Sequence, residues 1–249
     1  MIRKLIQKTF YNLGYEVRKL PLIPHSEGKK YQTAFTTKDA LSRCYDRGII
    51  INSVIDVGGS DGRWSIDCNA VYPKAKYLLV EALEEHKESL NAVTKQFSNF
   101  DYIIAAAGNK PGSIFFHKDD DLFGGSASNE SFPGSVEVKM TTIDEEVKDR
   151  DLEGPFLIKL DTHGFEVPIL EGARETIRQS SLIIIEAYNF KLTNDSLRYF
   201  ELCAYMEKLG FSTIEVVDLM LRQHDAAFWQ MDLFFIRSDS KEFSRNSYQ

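Results

Sequence analysis

The sequence predicts an α/β protein built on a doubly wound, mostly parallel sheet. Three observations point there. From residue 49 onward, short runs rich in Val, Ile and Leu alternate with stretches of helical periodicity. The first such run ends in a glycine-rich turn over residues 58–62. Four carboxylates, Asp56, Glu81, Asp161 and Glu186, fall at the ends of four of these runs. Ligands of parallel α/β sheets sit at that edge. At 249 residues, 43% of them hydrophobic, the chain is long enough to bury a core without staples.

Taken in order, Ile2, Leu5, Ile6, Phe10 and Leu13 recur at helical spacing and predict a short amphipathic helix with a basic far side. Packing on the main domain is its ordinary use, and weak contact with a lipid surface is the alternative. Gly14, Pro21, Pro24, Ser26 and Gly28 mark a linker. A helix is expected over about 37–47, ended by Gly48. Residues 1–48 thus read as a helical extension, 49–237 as the main domain and 238–249 as a frayed tail.

Within the main domain, strands are expected at 50–57, 76–81, 102–107, 156–160, 182–186, 211–217 and 231–237. Helices are expected at 64–72, 83–97, 167–178 and 195–209. Residues 108–141 interrupt the alternation. Two short strands, 113–117 and 136–140, flank a polar, glycine-rich loop whose acidic run Asp119–Asp121 reads as solvated. A long loop on this face commonly shapes a substrate site.

Composition narrows the function classes. Net charge is −7, yet residues 1–40 carry eight Lys/Arg against Glu16, Glu27 and Asp39. General nucleic-acid binders are usually basic, so nucleic acid is not the expected partner. Cys44, Cys68 and Cys203 form no C-x-x-C pair. That argues against a disulfide framework or a cysteine-built zinc site and favours a reducing, cytoplasmic setting. No signal-peptide pattern and no apolar run of about 18 residues is present.

The first turn reads Asp56-Val57-Gly58-Gly59-Ser60-Asp61-Gly62. Gly58, Gly59 and Gly62 let backbone approach a ligand closely, although a tight strand–helix turn needs glycine too. The spacing is not G-x-G-x-x-G, and no G-K-[ST] follows. Asp56 repels a pyrophosphate and attracts an ammonium or sulfonium, both of which S-adenosylmethionine has. Glu81, 19 residues past Gly62, is placed to accept hydrogen bonds from a ribose diol. Ser60 adds a hydroxyl to the same turn. The second constellation runs from Ile158 through Lys159, Asp161, Thr162, His163, Gly164 and Glu166 to Ala173. A buried strand leads into Asp161, and Glu166 begins a helix, where a carboxylate also simply favours the dipole.

These motifs together resemble the FkbM family of S-adenosylmethionine-dependent methyltransferases. The family pattern D-V-G-A-N-x-G, an acidic strand end, K-x-D-x-E-G-x-E and a later I-I-I-E appears here at 56–62, Glu81, 159–166 and 183–186. The resemblance implies a seven-stranded, Rossmann-like sheet with one reversed strand near an edge. It also implies methyl transfer, commonly to a hydroxyl of a sugar, glycan or related natural product. Two departures stand out. Ser60 replaces the usual Asn, and His163 stands where the family often has Glu.

A hydroxyl acceptor must lose its proton around the transition state. His163 is the expected base, and Asp161 the alternative or the group that orients the acceptor. Glu166, Glu186 and Tyr188 are expected on the acceptor side. A divalent cation held by Asp161, Glu166 and Glu186 is a further route to lowering the hydroxyl pKa; no metal ligand is assigned. The competing readings are an NAD-dependent oxidoreductase, also doubly wound, and a non-catalytic binding module of the same fold.

Overall fold

The computed structural model describes residues 35–118, 125–128, 131 and 133–248. The expected helix at 2–13, the linker after it, the run Asp119–Asp121 and Phe123 lie outside the described residues.

Helix α1 (Thr37–Asp46) begins at Thr36, whose hydroxyl accepts a hydrogen bond from the Asp39 amide, and ends before Gly48, at φ +84°. It buries Ala40, Leu41 and Cys44. Strands β1 (Ser53–Val57), β2 (Lys76–Glu81) and β3 (Phe100–Ile104) follow, separated by α2 (Arg63–Val71) and by a 3-10 turn at Glu84–His86 leading into α3 (Lys87–Gln96). Beyond an inserted segment come β8 (Phe156–Leu160), α5 (Glu166–Glu171), α6 (Arg174–Arg178), β9 (Ser180–Tyr188), α7 (Tyr199–Lys208), β10 (Phe211–Leu221) and β11 (Phe228–Arg237).

These strands form one seven-stranded sheet in the order β10-β11-β9-β8-β1-β2-β3. β11 alone is reversed; it pairs antiparallel with both β10 and β9, while the other pairings are parallel. Every residue of β1 and β8 is buried, as expected of central parallel strands covered on both faces. Alternate residues feed two cores. Val54, Leu79, Leu157 and Ile184 pack with α1, α2 and α3. Ile55, Val80, Ile158 and Ile185 pack with α5, α6 and α7. The chain leaves β1 toward β2 and β3, then returns to β8 and β9 on the other side. The switch point, and its crevice, therefore lies between β1 and β8.

The inserted segment is more ordered in pattern than its composition suggested. β4 (Ala106–Ala107), β5 (Gly112–Lys118), β6 (Gly125–Ser128) and β7 (Val136–Thr141) build a second sheet in the order β4-β7-β5-β6. Ala107 pairs with Thr141, and the Gly108 amide donates to the Thr141 carbonyl at 2.9 Å, so the two ends of the insertion meet. Ala106, Ile114 and Met140 form its small core.

Several boundaries differ from expectation for identifiable reasons. The expected strand 102–107 is two strands belonging to different sheets. The expected helix 167–178 breaks at Gly172, where a Cβ would lie 2.0 Å from the Gly108 carbonyl oxygen. Helix α4 (Ile143–Asp149) was not anticipated, although Thr142 caps it by accepting from the Glu145 amide. At the C-terminus, Lys241–Phe243 form a 3-10 turn and Phe243 packs on the core.

Candidate active site

The carboxyl ends of β1, β2 and β8 surround a cavity with about 790 Å³ of open space, its mouth included. Gly58 shapes the crevice floor. Its φ is +79°, and a Cβ there would lie 2.2 Å from the Asp161 carbonyl oxygen. Its amide donates to the Val80 carbonyl at 2.9 Å, and the Asp161 amide to the Val57 carbonyl at 3.0 Å. Gly59 faces Leu79, and Gly62, at φ +83°, precedes α2 and faces Val93. The glycines therefore let three strand ends close on one another.

Glu81 ends β2 and is nearly buried. It accepts from the Ser60 and Leu83 amides, both at 2.8 Å, which fixes its carboxylate at the cavity wall. Ser60 adopts φ +46°, and its hydroxyl is buried with no hydrogen-bond partner. Asp56 does not line the cavity. It lies behind the glycine turn, 1% exposed, where the Ser65 hydroxyl donates to Oδ2 at 2.7 Å while Oδ1 has no partner. Burial pushes the Asp56 carboxyl up from its ordinary range, with Lys159 pulling the other way.

Lys159 is the electrostatic centre, a role its place in a motif did not reveal. A lone lysine in a fully buried strand was the available signal. Its ammonium lies 2.7 Å from Asp161 Oδ2 and 5.4 Å from the Trp64 ring centre. Burial disfavours its charge, but Asp161, Asp56 and Asp232 outweigh that and hold it charged. Asp161 shows the reciprocal effect. Despite burial, Lys159 and His163 hold its carboxyl well below the usual range.

His163, at φ +48°, projects from the turn after β8. Its Nε2 lies 3.4 Å from Asp161 Oδ1 and 3.5 Å from Glu186 Oε2. One ligand-type atom from each of these three residues falls within 4.8 Å of the others. Glu186, near the end of β9, accepts from Tyr188 Oη and from Gln230 Nε2. Burial, helped by the Asp161 charge, pushes its carboxyl up to about 8. The Tyr188 ring stands edge-on to His163 at 6.1 Å and to Trp229 at 5.7 Å.

Glu166 is placed differently from its companions. Its Oε1 accepts from the Gly164 amide at 2.8 Å and faces the Thr162 hydroxyl at 3.4 Å, closing its own turn away from the cavity lining. The structure thus gathers Gly58, Ser60, Glu81, Asp161 and His163 on the cavity, with Glu186 and Tyr188 beside His163 and with Asp56 and Glu166 as supports behind it; Gly59 and Gly62, expected at the ligand, face Leu79 and Val93 instead of the cavity. The alanines of β4 and the rings of Phe116 and Phe165 also line it, and sequence reasoning missed them because they carry no reactive group.

A sequence model described as the methyltransferase FkbM domain matches residues 56–213. No curated protein matches significantly in sequence. Among solved structures, a methyltransferase FkbM from Methylobacillus flagellatus KT is 17% identical, with TM-score 0.49, over 78% of this chain. This chain spans 47% of that protein's length. The N-terminal domain of EvdMO1, solved in the presence of SAH and D-fucose, is 14% identical over 95% of this chain and 97% of that one, with TM-score 0.45. A putative RNA methyltransferase from Pyrococcus horikoshii is likewise 14% identical, over 95% and 99%, with TM-score 0.45.

Proposed function

We propose, on the footing that the chain belongs to the FkbM methyltransferase family, that it moves a methyl group from S-adenosylmethionine to a hydroxyl oxygen of a sugar, glycan or related natural product. The observation that carries this reading is charge. Glu81 and Asp161 put two carboxylates on the cavity lining, which carries no Lys or Arg among the described residues, and the buried Lys159 is paired with Asp161 and holds it charged. A sulfonium is drawn to such a field, whereas the pyrophosphate of NAD is repelled. Residues 49–237 are the methyltransferase unit of this reading, and the three free cysteines fit a cytoplasmic setting.

Glu81, Ser60 and Gly58 hold the cofactor, the Glu81 carboxylate accepting from the ribose diol, while Gly59 and Gly62 let the turn close against Leu79 and Val93. Asp56 supports the loop from behind, where the Ser65 hydroxyl and Lys159 face it. The cofactor supplies the reactive carbon when bound. The chain aligns the acceptor oxygen opposite the sulfur and removes its proton. With the cofactor held there, its methyl would pass to the acceptor oxygen with the sulfur keeping the electron pair of the broken carbon–sulfur bond, and His163 would receive the hydroxyl proton. Asp161 steadies the resulting imidazolium, its own negative charge secured by Lys159. Glu186, Tyr188 and the Glu166 turn shape the acceptor side.

Calorimetric titration with S-adenosylmethionine, S-adenosylhomocysteine and NAD tests the reading. Micromolar binding of the adenosyl ligands, lost in Glu81→Ala, is expected. Binding of NAD alone would sink it.

A further inference from the structure

We propose that the inserted four-stranded sheet completes the cofactor cavity and that Phe116 is the wall against which the cofactor's purine base stacks. The inference rests on the adenosyl-cofactor reading of the site and goes beyond it. It assigns a binding role to a segment outside the seven-stranded sheet.

The cavity is two-sided in chemistry. At one end stand Asp161, Thr162 and His163, polar and suited to the sulfonium and the acceptor. Glu81 marks the middle. Beyond Glu81 the lining turns apolar, with Ala82, Leu83, Ala105, Ala106 and Ala107 from the ends of β2 and β3 and from β4; Phe165 packs against the Ala106 cluster, and Phe116 lines the same cavity. A ligand whose ribose meets Glu81 and whose charge meets Asp161 places its remaining part, the base, in this apolar end. Alanine methyls there leave room for a flat ring, and aromatic faces favour stacking on one.

The way Phe116 is held supports the role. Ile114 and Phe116 are two residues apart on β5 and therefore share a face. Ile114 is 1% exposed, packed with Ala106 and Met140 in the small core. Phe116 lies one step further along and reaches the cavity. β5 is an inner strand of the small sheet: Phe116 pairs with Val136 of β7 on one side and Ala127 of β6 on the other. Its backbone is fixed by ladders on both edges. Phe165 packs against both the small core and the core beneath α5, so it joins the insertion to the main domain at the same wall.

The test compares wild type, Phe116→Leu and Phe116→Tyr by calorimetric titration with S-adenosylhomocysteine and with methylthioadenosine, which keeps base and ribose but lacks the amino-acid arm. Thermal unfolding without ligand checks each fold. Phe116→Leu keeps apolar bulk and loses the ring. It is expected to weaken both ligands by a similar factor, on the order of tenfold, while Phe116→Tyr binds like wild type. A folded Phe116→Leu protein that binds both ligands normally overturns the proposal. So does a loss confined to S-adenosylhomocysteine, which would put Phe116 at the amino-acid end. If wild type binds neither ligand, the cofactor reading itself fails and takes this inference with it.

Discussion

Lys159 and Asp161, two residues apart at the end of β8, form an ion pair of 2.7 Å in which the lysine side chain is 5% exposed and the aspartate 36%. The lysine is locked inside, while the carboxylate faces both the protein and the cavity. That asymmetry sets the expected response to mutation.

Lys159→Met is expected to destabilise the fold by about 3–5 kcal/mol at neutral pH. It leaves Asp56, Asp161 and Asp232 without the cation that offsets them. Urea unfolding measures the loss. The deficit is expected to shrink as pH falls and the stranded carboxylates take up protons; a deficit independent of pH would show that the lysine acts by packing alone.

Glu186 gives an opposite pH signature. Its folded carboxyl titrates at about 8, above an unfolded value of about 4.3. The folded state holds the proton longer, so this group's contribution is fully present below the unfolded value and is lost as pH rises toward 8. Asp161, depressed in the fold, contributes stability above its unfolded value and loses it as pH falls further into acid. Glu186→Gln is expected to be more stable than wild type at pH 8 and little changed at pH 4. Unfolding free energies across that range check this, and parallel profiles would refute it.

For catalysis, His163→Ala is expected to lower turnover by roughly 10²–10⁴-fold and leave S-adenosylhomocysteine affinity within about twofold. Initial rates on a sugar acceptor with a free hydroxyl, with calorimetry alongside, separate the two effects. An unchanged rate removes His163 from proton transfer.

Two glycines separate backbone freedom from close approach. Gly58 and Gly134 have φ of +79° and +84°, but only Gly58 faces a neighbour a Cβ would strike. Gly134→Ala is expected to cost about 1–2 kcal/mol, the left-handed penalty alone. Gly58→Ala is expected to cost more and to abolish cofactor binding. Thermal unfolding of the two variants side by side checks the difference, about 2–4 °C for each further kcal/mol.

Much of this was readable from residue order. Strands β2 and β8 match their expected bounds because both are apolar runs with sharp polar or proline borders. The carboxylates stood out because each falls at or beside the polar end of an apolar run. What was not readable depended on distant partners. Gly125–Ser128 pair as a strand despite a composition of glycine, serine and alanine, since β5 supplies the ladder. Asp56 looked like a ligand contact from its spacing, yet its β1 register turns it behind the loop toward Lys159. Glu166 looked like an acceptor contact, and a single turn of backbone folded it onto Gly164.

The meeting of Gly108 with Thr141 has a consequence for how such proteins diversify. A segment whose two ends are clasped to each other behaves as a cassette. Its contents are free to lengthen, shorten or be exchanged while the sheet beneath keeps its register. If the wall that grips the ligand belongs to that cassette, swapping it between relatives is a route to new selectivity that leaves the chemistry of the sheet edge untouched.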